Sequence, residues 1–199
     1  MSPHSHEPDD RHGARQPERF DPARAARLDD PARFEYLQPK EVVEMLDIPS
    51  GGTLLDFGTG TGTYAIEIAR LRPDVEVIAL DEQLEMLDLM RAKPAAAELV
   101  NLKPALPPDV AAYKGKIDRV LALNVLHELG DEVLRSLKSL LKNDGAVLFI
   151  DWNAEAERPA GPPADHVYSP AEGRQRLEQM GFNVRSETLF SYHYSILAD

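Results

Sequence analysis

An apolar run that ends in an acid, Leu54-Leu55-Asp56-Phe57, leads into glycines at 58, 60 and 62, and the next apolar run, Val75 to Leu80, ends in a second acid, Asp81. Alternate glycines let the backbone turn sharply and let a ligand lie against the main chain, because no Cβ intervenes. A strand-to-helix turn at the C-terminal edge of a parallel sheet is where doubly wound folds bind nucleotides. The acid that closes the following strand can accept bonds from the two hydroxyls of a ribose. Asp56, Gly58, Gly60, Gly62 and Asp81 therefore predict a nucleoside site. Spacing narrows the ligand further. Thr63 stands where the dinucleotide fingerprint G-x-G-x-x-G needs glycine, and no lysine falls between Lys40 and Lys93 to complete a Walker loop. No phosphate is expected at this turn.

The elements that must position these residues read as alternating strands and helices. A helix over Thr63 to Leu71 follows the glycine turn, and another covers 83–92 and stops at Lys93-Pro94. Glu98 to Leu102 is expected as a third strand. Ile117 to Leu123 is a fourth, and Ala146 to Ile150 a fully apolar fifth. Between them Asp131 caps a helix with Val133, Leu134, Leu137, Leu140 and Leu141 at helical spacing, ended by Asn143-Asp144-Gly145. Asp151 to Tyr168 reads as a long loop, and Ser169-Pro170-Ala171-Glu172 as a capping box opening a helix to Met180. Strands over 182–188 and 191–197 meet at a tight turn and pair antiparallel. Upstream, Asp-Pro-Ala-Arg occurs at 21–24 and again at 30–33, each an N-cap aspartate with proline at the first helical position. Helices are expected over 22–28, 31–37 and Pro39 to Leu46.

Composition bounds what such a chain does. It has 199 residues, 43% hydrophobic and 28% charged, which suits one α/β domain with an extension. A net charge of −12 argues against a general nucleic-acid binder, and the absence of cysteine excludes disulfides, thiolate metal sites and cysteine nucleophiles. His4, His6 and His12 lie in a polar N-terminal stretch and read as part of a flexible tail over 1–20, not as a metal site. No apolar signal core or membrane span is visible, so a cytoplasmic protein with no membrane partner is expected. The domain reading is a tail at 1–20, N-terminal helices at 21–48 that are a candidate lid, and a ligand-binding domain at 49–199.

The D-x-G-x-G-x-G pattern, with Asp81 in the ribose-binding position, resembles motif I of class I S-adenosylmethionine-dependent methyltransferases. The stretch Ile117 to Leu129 resembles the fourth-strand motif of the ubiquinone/menaquinone-biosynthesis-like (type 11) subgroup, and Leu140 to Ala146 and Ser169 to Phe182 resemble its later elements. The resemblance runs from about residue 37 to the end. It implies a Rossmann-like, mostly parallel seven-stranded sheet in the order 3-2-1-4-5-7-6, with a C-terminal antiparallel hairpin, and S-adenosylmethionine as the cofactor. One departure concerns the adenine side, where Lys103-Pro104-Ala105 replaces the acid that many relatives carry.

On that resemblance, Asn124 and Leu126 join the cofactor-binding set, because they follow the fourth strand where the methyl group points. A sulfonium methyl needs an in-line nucleophile and no covalent residue. A base is needed only where the acceptor must lose a proton. His127 is the first candidate for that base, against a reading in which it simply hydrogen-bonds backbone. Asp151 and Trp152, after the fifth strand, are candidate substrate residues, with Trp152 equally readable as loop packing. Tyr192 and Tyr194 are expected on one face of the last strand and His193 on the other, all as sheet residues. The expected activity is methyl transfer to a small molecule. The rivals are a non-catalytic S-adenosylmethionine or S-adenosylhomocysteine binding module and a nicotinamide-dependent oxidoreductase. Methyl acceptor and oligomeric state stay open.

Overall fold

A computed structural model describes residues 20–199, so the histidine-bearing tail lies outside the described residues. Seven strands form one sheet: β1 Thr53–Phe57, β2 Glu76–Leu80, β3 Leu102–Ala105, β4 Ile117–Leu123, β5 Leu141–Trp152, β6 Val184–Leu189 and β7 His193–Ala198. Their order is β3-β2-β1-β4-β5-β7-β6. The pairs from β3 to β5 are parallel, whereas β7 runs antiparallel to both β5 and β6. The helices are α1 Arg33–Tyr36, α2 Pro39–Leu46, α3 Thr63–Leu71, α4 Leu84–Arg91, α5 Pro94–Ala97, α6 Pro107–Val110, α7 Asp131–Leu140 and α8 Pro170–Gln179. This is the doubly wound fold with a terminal hairpin that the sequence implied.

The central strands of the sheet are buried on both faces, as parallel strands flanked by helices must be, and the edge strand β6 is largely exposed. On one face Leu54, Val77, Ala79, Leu121, Leu148 and Ile150 pack with residues of α2, α3 and α4. On the other, Leu55, Ile78, Val120, Val147 and Phe149 pack with Leu134, Leu137 and Leu140 of α7 and Leu177 of α8. Among the described residues no helix is long and apolar enough to cross a membrane.

Several local readings shift. The third strand starts at Leu102, not Glu98, because the Asn101 side-chain amide donates to the carbonyls of Ala69, Arg72 and Val75 at 3.1, 3.1 and 2.9 Å and pins the chain just before the strand. Pro104 is tolerated there because β3 is the edge strand and needs no donor on its outer side. The fifth strand begins at Leu141 instead of Ala146, since Ile117 pairs with Leu141 while Arg119 pairs with Ala146, a bulge that absorbs Asn143-Asp144-Gly145. A side chain at Gly145 would stand 2.9 Å from the Ile117 carbonyl, and Lys142 Nζ holds both Asp118 carboxylate oxygens at 2.8 Å, which together fix the bulge. Gly130, not Asp131, occupies the cap of α7, and Asp131 lies in its first turn paired with Arg176 at 3.1 Å.

At the N-terminal end the first Asp-Pro-Ala-Arg caps as expected, whereas at the second Ala32, not Asp30, is the N-cap, and α1 starts at Arg33, beyond Pro31. Asp21 accepts from Ala23 N at 3.0 Å and opens a 3₁₀ turn over Pro22–Arg27, and Asp30 accepts from Ala32 N at 2.9 Å ahead of α1. The capping box of α8 forms as read, with Ser169 N donating to Glu172 Oε2 at 2.8 Å.

Candidate active site

The glycine turn sits where β1 and β4 lie side by side and the strand order reverses, the point at which doubly wound sheets open a crevice. Gly58, Gly60 and Gly62 have φ of 71°, 56° and 72°, left-handed values that side chains disfavour. A Cβ on Gly58 would lie 2.8 Å from Val125, on Gly60 2.9 Å from Leu28, and on Gly62 inside the Met90 side chain. The turn is thus gripped from three sides, by the loop after β4, by the N-terminal segment and by α4.

Both acids serve this turn. Asp56 is buried and accepts from Thr59 Oγ1 at 2.6 Å. Burial, reinforced by the neighbouring Asp81 charge, pushes its carboxyl up to about 6 against the Thr59 bond and Arg33. Asp81 accepts from Gly60 N at 2.8 Å and from Gln83 N at 2.9 Å. Burial raises its pKa as well, with the two backbone bonds opposing. It therefore shapes the glycine turn besides presenting a carboxylate, whose oxygens hold more lone pairs than these two bonds use.

Beyond β4, Asn124 takes a left-handed φ of 58° and donates its N–H to Ile150 O at 2.7 Å. Its Oδ1 is buried with no hydrogen-bond partner among the described residues. An orphaned acceptor at the mouth of the glycine turn, together with two carboxyls whose burial leaves them short of positive charge, fits a cationic nucleoside with an amino-acid tail. S-adenosylmethionine has those features. Leu126, by contrast, is fully buried in the core cluster that contains Leu134 and Leu137, so its side chain supports the loop and does not face the turn.

His127 follows in a 3₁₀ turn, Leu126–Glu128. Its Nδ1 lies 2.9 and 3.0 Å from the two Asp151 oxygens, and its backbone N–H donates to Asp151 Oδ2 at 2.9 Å. Asp151 also accepts from Trp152 N at 2.7 Å and is completely buried. Asp151, offered by the sequence as a candidate substrate residue, turns its oxygens inward onto three N–H groups, two of them of His127. A carboxylate only accepts, so Nδ1 carries the hydrogen, and in the neutral imidazole Nε2 keeps its lone pair, 3.6 Å from Glu128 Oε1. Burial works against protonation of His127, but the Asp151 charge and hydrogen bond outweigh it, and the imidazole pKa lies above its ordinary value. Burial likewise raises Glu128.

Trp152 is almost fully buried against His193, with ring centroids 4.0 Å apart, and Tyr36 completes a three-ring cluster, near-parallel to the imidazole at 5.6 Å and 14° and tilted against Trp152 at 6.4 Å. Tyr192 meets Tyr36 edge-on at 5.5 Å. Tyr192 and Tyr194 do not share a face: Tyr192 lies in the turn before β7, where strand alternation has not begun, while Tyr194 packs in the opposite core.

The N-terminal segment supplies the residues that sequence reasoning missed. Asp29 accepts from Thr61 Oγ1, Thr63 Oγ1 and Lys93 Nζ, each at 2.6 Å. Burial opposes its charge, yet these bonds outweigh that and hold its carboxyl below the usual range. Arg33 donates to Leu28 O at 2.6 Å and lies over the Tyr64 ring at 5.3 Å. Tyr64 in turn donates to Leu37 O at 2.8 Å. No local pattern around Asp29 or Tyr36 marks them, since their partners are distant in the chain.

The chain matches the methyltransferase-domain family over residues 31–187. Among solved structures it is similar to a SAM-dependent methyltransferase from Aquifex aeolicus, 30% identical, with a TM-score of 0.83 covering 90% of this chain and 98% of that one. Among curated proteins it is 26% identical over 117 residues to the ubiquinone/menaquinone biosynthesis C-methyltransferase of Citrifermentans bemidjiense, covering 56% of this chain and 50% of the relative. It is 34% identical over 112 residues to the ribosomal RNA small subunit methyltransferase G of Deinococcus radiodurans, covering 48% and 44%. The chain spans about half the length of these curated relatives. With the strand order, the glycine turn and its two acids in place, the chain belongs to the methyltransferase-domain family, class I and S-adenosylmethionine-dependent.

Proposed function

We propose that this protein transfers a methyl group to a small-molecule acceptor, with His127 as the proton-accepting group and residues 21–48 as a cover over the site. The observation that carries the reading is a juxtaposition. Val125, two residues before His127, packs on Gly58, so the loop that carries His127 lies against the glycine turn.

S-adenosylmethionine, when bound, supplies an electrophilic methyl on a positively charged sulfur. Asn124 Oδ1, Asp56 and Asp81 bind and orient it. Asp151 fixes the imidazole tautomer with hydrogen on Nδ1, so His127 Nε2 accepts the proton that an acceptor O–H, N–H or C–H gives up. The same carboxylate then stabilises the imidazolium. The segment around Leu28 lies against Gly60, and Asp29 ties it to Thr61, Thr63 and Lys93, which excludes water from the turn.

A small acceptor is favoured by the net charge of −12, since affinity for a nucleic-acid backbone requires clustered cations. The similarity to a ribosomal RNA methyltransferase supplies the rival acceptor. Calorimetry should show S-adenosylmethionine and S-adenosylhomocysteine binding without competition from NAD. Label from the methyl group should then appear in a metabolite pool and not in total RNA. Absence of cofactor binding refutes the reading, labelled RNA replaces the acceptor class, and binding without any turnover leaves a binding module.

A further inference from the structure

The side chains that cover the three glycines of the turn differ in how firmly they are held. Val125, against Gly58, packs on the core cluster that contains Leu134 and Leu137. Met90, against Gly62, is buried inside the other cluster. Leu28 is only half-buried and belongs to neither cluster, yet its Cδ1 would lie 2.9 Å from a Cβ on Gly60. Gly60, at a φ of 56°, leaves its main chain open to close approach, and in this structure a leucine methyl makes that approach.

Leu28 rides on a short span with firm ends. At one end Gln83 Nε2, two residues past Asp81, donates to Phe20 O at 3.0 Å. At the other, Phe34 and Leu37 join the core, and Tyr64 donates to Leu37 O at 2.8 Å. Residues 21–30 thus cross from the end of β2 to the start of α3, over the glycine turn. Asp29 Oδ1 fastens them there, 2.6 Å from each of Thr61 Oγ1, Thr63 Oγ1 and Lys93 Nζ. Thr63 is the first residue of α3, where a helix favours negative charge. The Asp29 and Lys93 side chains are 39% and 26% exposed, so water can replace this tie at modest cost.

We propose that residues 21–30 are a gate that is shut in the free protein, with Leu28 covering the face of Gly60 that S-adenosylmethionine uses and Asp29 latching it there. To enter, the cofactor lifts Leu28 from Gly60, and with it Asp29 from Thr61, Thr63 and Lys93. The span then closes over the cofactor and no longer on the bare turn. This rests on the methyltransferase reading above and adds how its cofactor site is opened. A latch that holds the free protein shut lowers the binding-competent fraction, and the apparent affinity falls by that fraction. A segment that only clamps bound cofactor behaves in the opposite way, because its loss speeds release.

The full chain is tested with S-adenosylhomocysteine, by surface plasmon resonance for the rates and calorimetry for the affinity, with thermal melting as the check on folding. Asp29→Asn keeps the side-chain shape and removes the charge that Lys93 holds. It should bind about threefold to tenfold faster, and more tightly by the same factor, with release nearly unchanged. Lys93→Gln opens the latch from the other side and should act in the same direction. Leu28→Ala uncovers Gly60 with the latch intact and should also speed association. Binding by these variants with none by the wild type supports the gate equally. The gate is overturned by unchanged association rates in folded Asp29→Asn and Leu28→Ala, or by weaker binding through faster release, the mark of a clamp. No binding by any of the four proteins removes the cofactor reading of the turn and the gate with it, so the two failures are distinguishable.

Discussion

Replacing Asp151 by asparagine tests the inferred role of the buried carboxylate without an identified acceptor. Asp151 accepts from His127 N, His127 Nδ1 and Trp152 N, and no solvent reaches it. An amide of the same shape keeps one accepting oxygen and turns an NH₂ group toward donors, so at least one buried N–H loses its partner. That costs about 1–3 kcal/mol, and the charge-assisted bond to the imidazolium is worth a further ~1.5–3 kcal/mol. The pH dependence has a definite sign. His127 has a raised folded pKa, so its pairing stabilises the fold fully below the unfolded value and this contribution is lost as pH rises through the folded pKa. Asp151→Asn should therefore destabilise by about 2.5–6 kcal/mol near pH 6 and by only about 1–3 kcal/mol near pH 9. Urea unfolding at both pH values measures the difference, and NMR titration of the His127 ring should show its pKa falling in the variant. Equal, sub-kilocalorie losses at both pH values with an unmoved His127 titration would refute the pairing.

Three further outcomes follow from the cofactor turn. Asp81→Ala should weaken S-adenosylmethionine binding by roughly one to two orders of magnitude, from a charged hydrogen bond worth about 1.5–3 kcal/mol, and unchanged affinity by calorimetry in a folded variant removes it from the site. Gly60→Val forces a branched side chain into a left-handed φ of 56° and against Leu28, so cofactor binding should be lost and stability should drop by about 1–3 kcal/mol in thermal melts. Asp56, with its carboxyl pushed up to about 6, stabilises the fold when protonated, and that contribution is lost as pH rises from the ordinary carboxyl range through about 6. A cationic cofactor favours the charged form, so its affinity should rise through the same window. Asp56→Asn should flatten the profile, which separates Asp56 from Asp81, Glu128 and His127.

The sequence by itself determined the elements whose physics is local. Asp56 to Thr63 is a contiguous strand, turn and helix start, and glycines at alternate positions mark a sharp turn, so this junction was legible in the sequence. The same holds for the aspartate cap at 21, the local bond of Asp30 to Ala32 and the capping box at Ser169, where each residue bonds a neighbour two or three positions away. His127 stood out by type and place, but its choice between base and backbone partner waited on Asp151, 24 residues further on. Strand starts were misread at β3 and β5, since Asn101 acts on carbonyls 26 to 32 residues back and the bulge before Ala146 is set by its pairing with β4. Asp29 reaching Lys93 across 64 residues, and Tyr36 stacked on His193, carry no signal in spacing at all. Side-chain chemistry across a doubly wound sheet depends on which strand ends lie side by side, and that follows from the pairing of whole strands, which only the tertiary structure decides.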